Sequence, residues 1–215
     1  MEVEDLLVLV NEYDEVIGSG AKLEVHRRKL LHRAFSIFLY DQRTDSLLLQ
    51  KRAFGKYHSG GKWSNSCCSH PRWGEAYPVA LARRLKEELG IAIPEEQAWI
   101  INCSSSPDPL LFPEVSLSLP SPTGPEAFRY CGRFLYFADY GELAEHEIDR
   151  VFWLPFDREK DSFTANPQEI ADCRWLPRAD IRRLLTADPT SFSAWFARAF
   201  ALLEQSLDRT NVKTI

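Results

Sequence analysis

The chain has 215 residues, 45% of them hydrophobic and 27% charged, a balance that builds a buried core and excludes a disordered chain. Its net charge of −5 provides no broad basic field, so nucleic acid is not an expected partner and an anionic ligand must be met by a local cluster of cations. Five cysteines with no paired CxxC spacing, and no secretory or membrane-spanning stretch in view, predict a cytoplasmic protein with free thiols and no membrane association.

Leu6 to Val10 is a short apolar run predicted as a strand, and the NEYDEVIGSG after it reads as turn. AFSIFLYD (34–41) and SLLLQKR (46–52) predict a strand pair, followed from Arg52 to Glu75 by a loop dense in reactive side chains. A helix is predicted from Tyr77, with Pro78 in its first turn, Leu81, Leu85 and Leu89 repeating every fourth residue, and Gly90 as its stop. AWIINC (98–103) reads as a strand, and the prolines between Pro107 and Pro125 oppose regular structure, so a proline-rich surface insertion is expected at about 104–127. RYCGRFLYFA and EIDRVFWLPF read as strands, DCRWLPRADIRRLL as a strand and a helix, and FSAWFARAFALLEQSL as a closing helix. Strands and helices alternate without a βαβ rhythm. The expected fold is therefore α/β (α+β), a mixed β-sheet sandwiched between helices, with residues 1–215 forming a single domain.

The chemistry concentrates in a few segments. KWSNSCCSHP holds the Cys68 thiol two residues from the His70 imidazole, and His26 and His32 bracket the basic stretch HRRKLLH. In EHE, a strand period of two puts Glu145 and Glu147 on one face, where their repulsion is relieved by a bound cation. Three histidines with two carboxylates form a mixed nitrogen and oxygen set that suits Mn, Zn or Fe better than Ca. Lys22, Arg52 and Lys56 lie near these groups in sequence and offer the positive charge a diphosphate requires. By periodicity alone, Tyr136 and Trp195 read as ordinary core aromatics.

WSNSCCSHP, with LKEELGI behind it and EHEID downstream, closely resembles the type I isopentenyl diphosphate isomerases of the Nudix superfamily. The resemblance runs from Lys22 and HRRKLLHRAFS through KRAFGK to FTANPQEIADCRWL and the FSAWF segment, which is most of the chain. It implies a Nudix-like fold and the interconversion of isopentenyl and dimethylallyl diphosphate in isoprenoid biosynthesis, by protonation and deprotonation on opposite faces of the substrate. It implies that His26, His32, His70, Glu145 and Glu147 hold one Mn2+ or Zn2+. Cys68 and Glu147 would work on the two faces with the Tyr136 hydroxyl in the relay, either one delivering the first proton. Glu88 and the Cys68 backbone carbonyl would hold a Mg2+ that arrives with the substrate diphosphate, and Lys22, Arg52 and Lys56 would contact that diphosphate. Trp195 would lie over the substrate, and no flavin would be needed. Two features depart from the family pattern: a longer proline-rich insertion, and YHSGGKW, where the family more often has a proline before its glycine. Oligomeric state is left open.

One alternative is a Nudix hydrolase of a nucleoside or prenyl diphosphate, since Glu75, Arg83, Leu85, Glu87, Glu88, Gly90 and Ile91 recover much of the box GX5EX7REUXEEXGU. The box's first Gly is Ser69 here, and Arg84 stands where a hydrolase has a metal-binding Glu. The other alternative is a noncatalytic zinc or nucleotide-binding module, which lacks a fourth close ligand of the usual spacing.

Overall fold

The computed structural model of the protein describes residues 5–94, 98–105, 108, 110–111 and 127–212, so most of the proline-rich insertion lies outside the described residues. In chain order the elements are β1 (Leu6–Val10), β2 (Val16–Ala21), α1 (Lys22–Arg27), β3 (His32–Asp41), β4 (Ser46–Arg52), β5 (Trp63–Ser64), β6 (Cys67–Ser69) and α2 (Tyr77–Leu89). There follow β7 (Ile100–Asn102), β8 (Phe128–Asp139), β9 (Ala144–Pro155), β10 (Ile170–Pro177), α3 (Arg178–Ala187) and α4 (Phe196–Val212).

β3 organises the sheet. It is buried along its whole length, as its nearly unbroken apolar sequence requires of a strand covered on both faces. One edge runs parallel to β9, in register from His32 opposite Glu147 to Tyr40 opposite Pro155. The other edge is shared in turn by Leu9 of β1, by β6 opposite Phe35 to Ile37, and by β4 opposite Tyr40 and Asp41. Strand alternation then sorts the core. Phe35, Ile37 and Leu39 point to the face packed by Leu81 and Leu85 of α2, while Phe38 and Tyr40 join Val151 and Trp153 beneath Phe196, Phe200 and Leu203 of α4. The mixed sheet between helices is the expected architecture.

α2 ends as its sequence predicts, with Gly90 at φ 68° and its N–H bonded to the Lys86 carbonyl at 3.1 Å. Two local expectations need correction, and one helix was not expected. The segment read as turn after Val10 contains β2; glycines at 18 and 20 mask the strand signal, and pairing with β1 supplies it. The turn shrinks to Asn11–Glu15, where the Asn11 side-chain oxygen accepts from the backbone N–H of Tyr13 and of Glu15, each at 3.0 Å. The basic stretch around His26 opens as α1, a helix too short to signal itself, which brings Lys22 and His26, four residues apart, onto one side. The cysteine loop contains β6, because the edge of β3 between β1 and β4 carries buried backbone groups that must be paired.

The insertion reaches this core at Asp108, which is 3% exposed. Arg150 of β9, fully buried, donates to Asp108 at 2.8 Å and to the Tyr77 hydroxyl at 2.9 Å, and is ion-paired with Asp14 of the β1–β2 turn. Arg33 shares Asp14 at 2.7 Å, so two buried cations and two buried anions interlock. Among the described residues no helix is long and apolar enough to cross a membrane.

Candidate active site

The pairing that builds the sheet also builds the site. His32, Ala34 and Ser36 of β3 and Glu145, Glu147 and Asp149 of β9 alternate onto one face; Cys68 pairs with Ser36, and Tyr136 of β8 pairs with Glu147. Trp195, one residue ahead of α4, closes that face. The result is an open cleft lined by Lys22, Arg52, Lys56, Cys68, His70, Tyr136, Glu145, Glu147 and Trp195. His26 and His32 sit behind it, 1% and 0% exposed.

The three histidine rings lie 4.9 to 5.4 Å from one another. His26, His32, His70 and Glu145 each offer a ligand atom, and these atoms all lie within 4.8 Å of one another. The Nδ1 atom of His26 bonds the Ala144 carbonyl at 3.1 Å, and that of His32 bonds the Leu30 carbonyl at 2.8 Å. At His26 that carbonyl holds the proton on Nδ1 and leaves the Nε2 lone pair free, whereas at His32 the neighbouring Glu147 outweighs burial and raises the ring's pKa. Both Nε2 atoms, His70 Nδ1 and Glu145 Oε2 are buried without a hydrogen-bond partner. A lone orphan of this kind costs about 1–3 kcal/mol, so several within one buried cluster of three histidines and a carboxylate fit a divalent cation. Burial drives the His26 pKa down to about 4, and burial with the neighbouring histidines and Lys22 drives His70 well below its usual value, which keeps both rings in the neutral form that ligation requires.

Glu147 stands beside this foursome rather than within it, 2.8 Å from His70 Nε2 and 3.4 Å from His32 Nε2. Its other oxygen accepts a 2.6 Å hydrogen bond from the Tyr136 hydroxyl. Burial pushes the carboxyl up, but the His32 ring and the hydrogen bond from Tyr136 outweigh it and hold Glu147 at about 2, ionised at neutral pH. Burial and the adjacent Glu147 and Glu145 keep Tyr136 protonated. Burial pushes the Cys68 thiol up to about 12 against the pull of Arg52, whose Nη1 lies 3.4 Å from the sulfur. The cleft thus pairs a proton-bearing thiol with a carboxylate that can take a proton, the division of states that acid and base work needs.

Cys67 points the other way, fully buried in the α2-facing core. Lys22, Arg52 and Lys56 meet Arg84 along one side of the cleft, and burial together with Arg84 and Lys56 lowers the Lys22 pKa. Glu88 is not brought to the histidines: it is 2% exposed, accepts from Gln50 Nε2 at 3.1 Å and is paired with Arg84. The Trp195 indole N–H donates to Asn65 at 2.9 Å, and its ring lies 5.2 Å from the Arg52 guanidinium carbon. Sequence reasoning did not assign His58, Arg84, Asp149 or Glu169 to the site, yet all four line the cleft. Period two from Glu145 through Glu147 to Asp149 was a usable signal for one of them, and the cation replacing a box carboxylate was a signal for Arg84.

Residues 30–116 match the NUDIX domain family. A crystal structure of a Deinococcus radiodurans protein covers 93% of this chain and 98% of its own at a TM-score of 0.60 and 20% identity, a likeness of fold. Fold and family match define a Nudix protein whose buried His/Glu cluster could hold a metal ion. The isopentenyl-diphosphate Delta-isomerase of Aliivibrio fischeri is 39% identical over 213 residues, spanning 96% of this chain and 99% of the relative. The isopentenyl-diphosphate Delta-isomerase 2 of Photorhabdus laumondii is 36% identical over 91% of this chain and 90% of its own. The chain belongs to the type I isopentenyl-diphosphate Delta-isomerase family of the Nudix superfamily.

Proposed function

We propose that this chain interconverts isopentenyl and dimethylallyl diphosphate in isoprenoid biosynthesis, as a single domain in the cytoplasm. The observation that carries the reading is the Glu147 carboxylate, bonded by Tyr136, facing the same cleft as the Cys68 thiol. Lys22, Arg52, Lys56 and Arg84 bind the diphosphate and orient the five-carbon chain. One of the pair Cys68 and Glu147, with the Tyr136 hydroxyl serving Glu147, gives a proton to the terminal methylene. The positive charge then rests on the tertiary carbon, and the other residue removes a proton from the opposite face at the carbon next to it. Either direction uses the same two groups, as a reversible reaction requires.

The Trp195 indole presents its π-face to the cation and excludes water from it; in a desolvated site such an attraction is worth about 2 kcal/mol. His26, His32, His70 and Glu145, with Glu147 moving in from beside them as the fifth ligand, would hold a Mn2+ or Zn2+, which when bound supplies the positive charge that stabilises the carboxylates and tunes their proton affinity. The resemblance would give the Mg2+ that accompanies the diphosphate to Glu88 and the Cys68 carbonyl, but the Glu88 oxygens are taken by Arg84 and Gln50, so holding the ion there requires Arg84 to turn to the diphosphate. Both proton transfers are assigned to protein side chains, so the proposal gives no role to a flavin. Hydrolysis is the weaker reading, because Arg84 occupies the position of a hydrolase carboxylate and neutralises Glu88. Incubation with isopentenyl diphosphate and Mg2+ without flavin tests the proposal: dimethylallyl diphosphate should form, and release of phosphate or pyrophosphate in its place would refute it.

A further inference from the structure

The loop that departs from the family pattern, Tyr57 to Gly61, carries His58 into the site. The side chain is 8% exposed, and its Nε2 is paired with Oε1 of Glu145. Its ring stacks on Tyr140 at 5.2 Å and 25° and meets the edge of Trp195 at 6.0 Å. The next residue secures the loop, with the Ser59 and Tyr140 hydroxyls 3.1 Å apart. At Gly60 a Cβ would lie 2.7 Å from the Phe54 carbonyl oxygen, so the path that delivers His58 is open only to glycine.

His58 does not belong to the foursome of converging ligand atoms. It serves the outer oxygen of one of them. Oε1 of Glu145 is engaged by His58, whereas Oε2 is buried with no hydrogen-bond partner. His26 Nδ1, 3.9 Å from Oε2, is already bonded to the Ala144 carbonyl. A carboxylate tied at one oxygen and free at the other is fixed in rotation and presents a single ligand atom.

We propose that His58 is a positioning residue for the metal site, its Nε2–H donating to Glu145 Oε1 so that Oε2 is held toward the histidines. The proposal rests on the cluster being a metal site. Without His58, the Glu145 carboxylate turns freely about its last bond and one buried oxygen loses its partner, both of which weaken ion binding. Two conservative variants separate this role from simple packing. His58→Gln keeps an N–H donor and loses the ring, whereas His58→Phe keeps the ring against Tyr140 and Trp195 and cannot donate.

Calorimetric titration of Zn2+ alone into the metal-stripped full chain is the test, with His26→Ala as control. The parent should bind one ion that His26→Ala loses. His58→Ala and His58→Phe should bind it roughly 10- to 100-fold more weakly, the range for loss of an outer partner, and His58→Gln should recover part of that loss. If His58→Phe binds as tightly as the parent, His58 only packs and the proposal is overturned while the metal site stands. A parent that takes up no ion, or a His26→Ala variant that keeps it, removes the metal site and the proposal together. The Gln and Phe pair decides the matter even where the Ala variant does not fold.

Discussion

Asp108 should be the point at which the insertion contributes to stability. Asp108→Ala removes the 2.8 Å bond to Arg150, the 3.2 Å bond from the Tyr130 hydroxyl and the 3.0 Å bond from the Leu110 amide. Arg150 is fully buried and keeps only Asp14 and the Tyr77 hydroxyl, while Asp14 must also serve Arg33. Breaking a buried pair by deleting one partner costs about 3–5 kcal/mol, and the surviving Asp14 argues for the lower end, about 3 kcal/mol. For a chain of this length that is a fall of roughly 6–12 °C in Tm. Thermal and urea unfolding of parent, Asp108→Ala and Asp108→Ala/Arg150→Met should show the loss in the single variant and a partial recovery in the double, because no buried cation is then left unpaired. A single variant within about 2 °C of the parent in Tm would refute the reasoning, since a shift that small is under about 1 kcal/mol. Trimming the insertion beyond Asp108 should spare stability and turnover, whereas trimming that takes Asp108 should lower stability.

Cys68→Ala should abolish isomerisation, while Cys67→Ala, which empties a small space under α2, should keep its turnover and lose about 1–2 kcal/mol of stability; equal turnover in both variants contradicts the assignment. Trp195→Phe should slow the reaction several-fold and Trp195→Leu by up to roughly 30-fold, the rate equivalent of about 2 kcal/mol, with substrate affinity nearly unchanged. Unfolding curves taken beside the rates exclude a trivial loss from the Asn65 hydrogen bond. In the metal-free protein His26 titrates at about 4 rather than 6.5 because it is buried. The unfolded chain therefore takes up that proton first, so the contribution is complete above pH 6.5, declines as pH falls toward 4, and is worth roughly 3 kcal/mol. Urea midpoints from pH 7 to pH 4 should fall faster for the parent than for His26→Gln; parallel curves contradict the assigned environment.

Legibility in the sequence follows physical range. α2 was plain because Leu81, Leu85, Leu89 and Gly90 act within single turns, and β3 and β9 were plain from their apolar stretches, 37–40 and 151–154, which strands buried on both faces favour. β2, α1 and β6 were not: glycines mask β2, α1 is too short to signal itself, and β6 depends on β3, a partner distant in sequence. In the site, period two put Glu145 and Glu147 together, and the parallel register with β3 then brought His32 to Glu147. His58 could not be read in advance: its partner lies 87 positions along the chain, and nothing local in YHSGG distinguishes a buried donor from a surface loop. Glu88 looked like a metal carboxylate in the box, yet its pairing with Arg84 depends on the same substitution that weakens the hydrolase reading.

The most direct measurement is the reaction of isopentenyl diphosphate run in D2O and followed by proton and deuterium NMR. Proton transfer by Cys68 and Glu147 on opposite faces predicts dimethylallyl diphosphate with deuterium in the newly formed methyl group. It also predicts recovered substrate that has exchanged at the carbon between the double bond and the carbon bearing the diphosphate. Loss of the diphosphate with no deuterium in the carbon skeleton would contradict it.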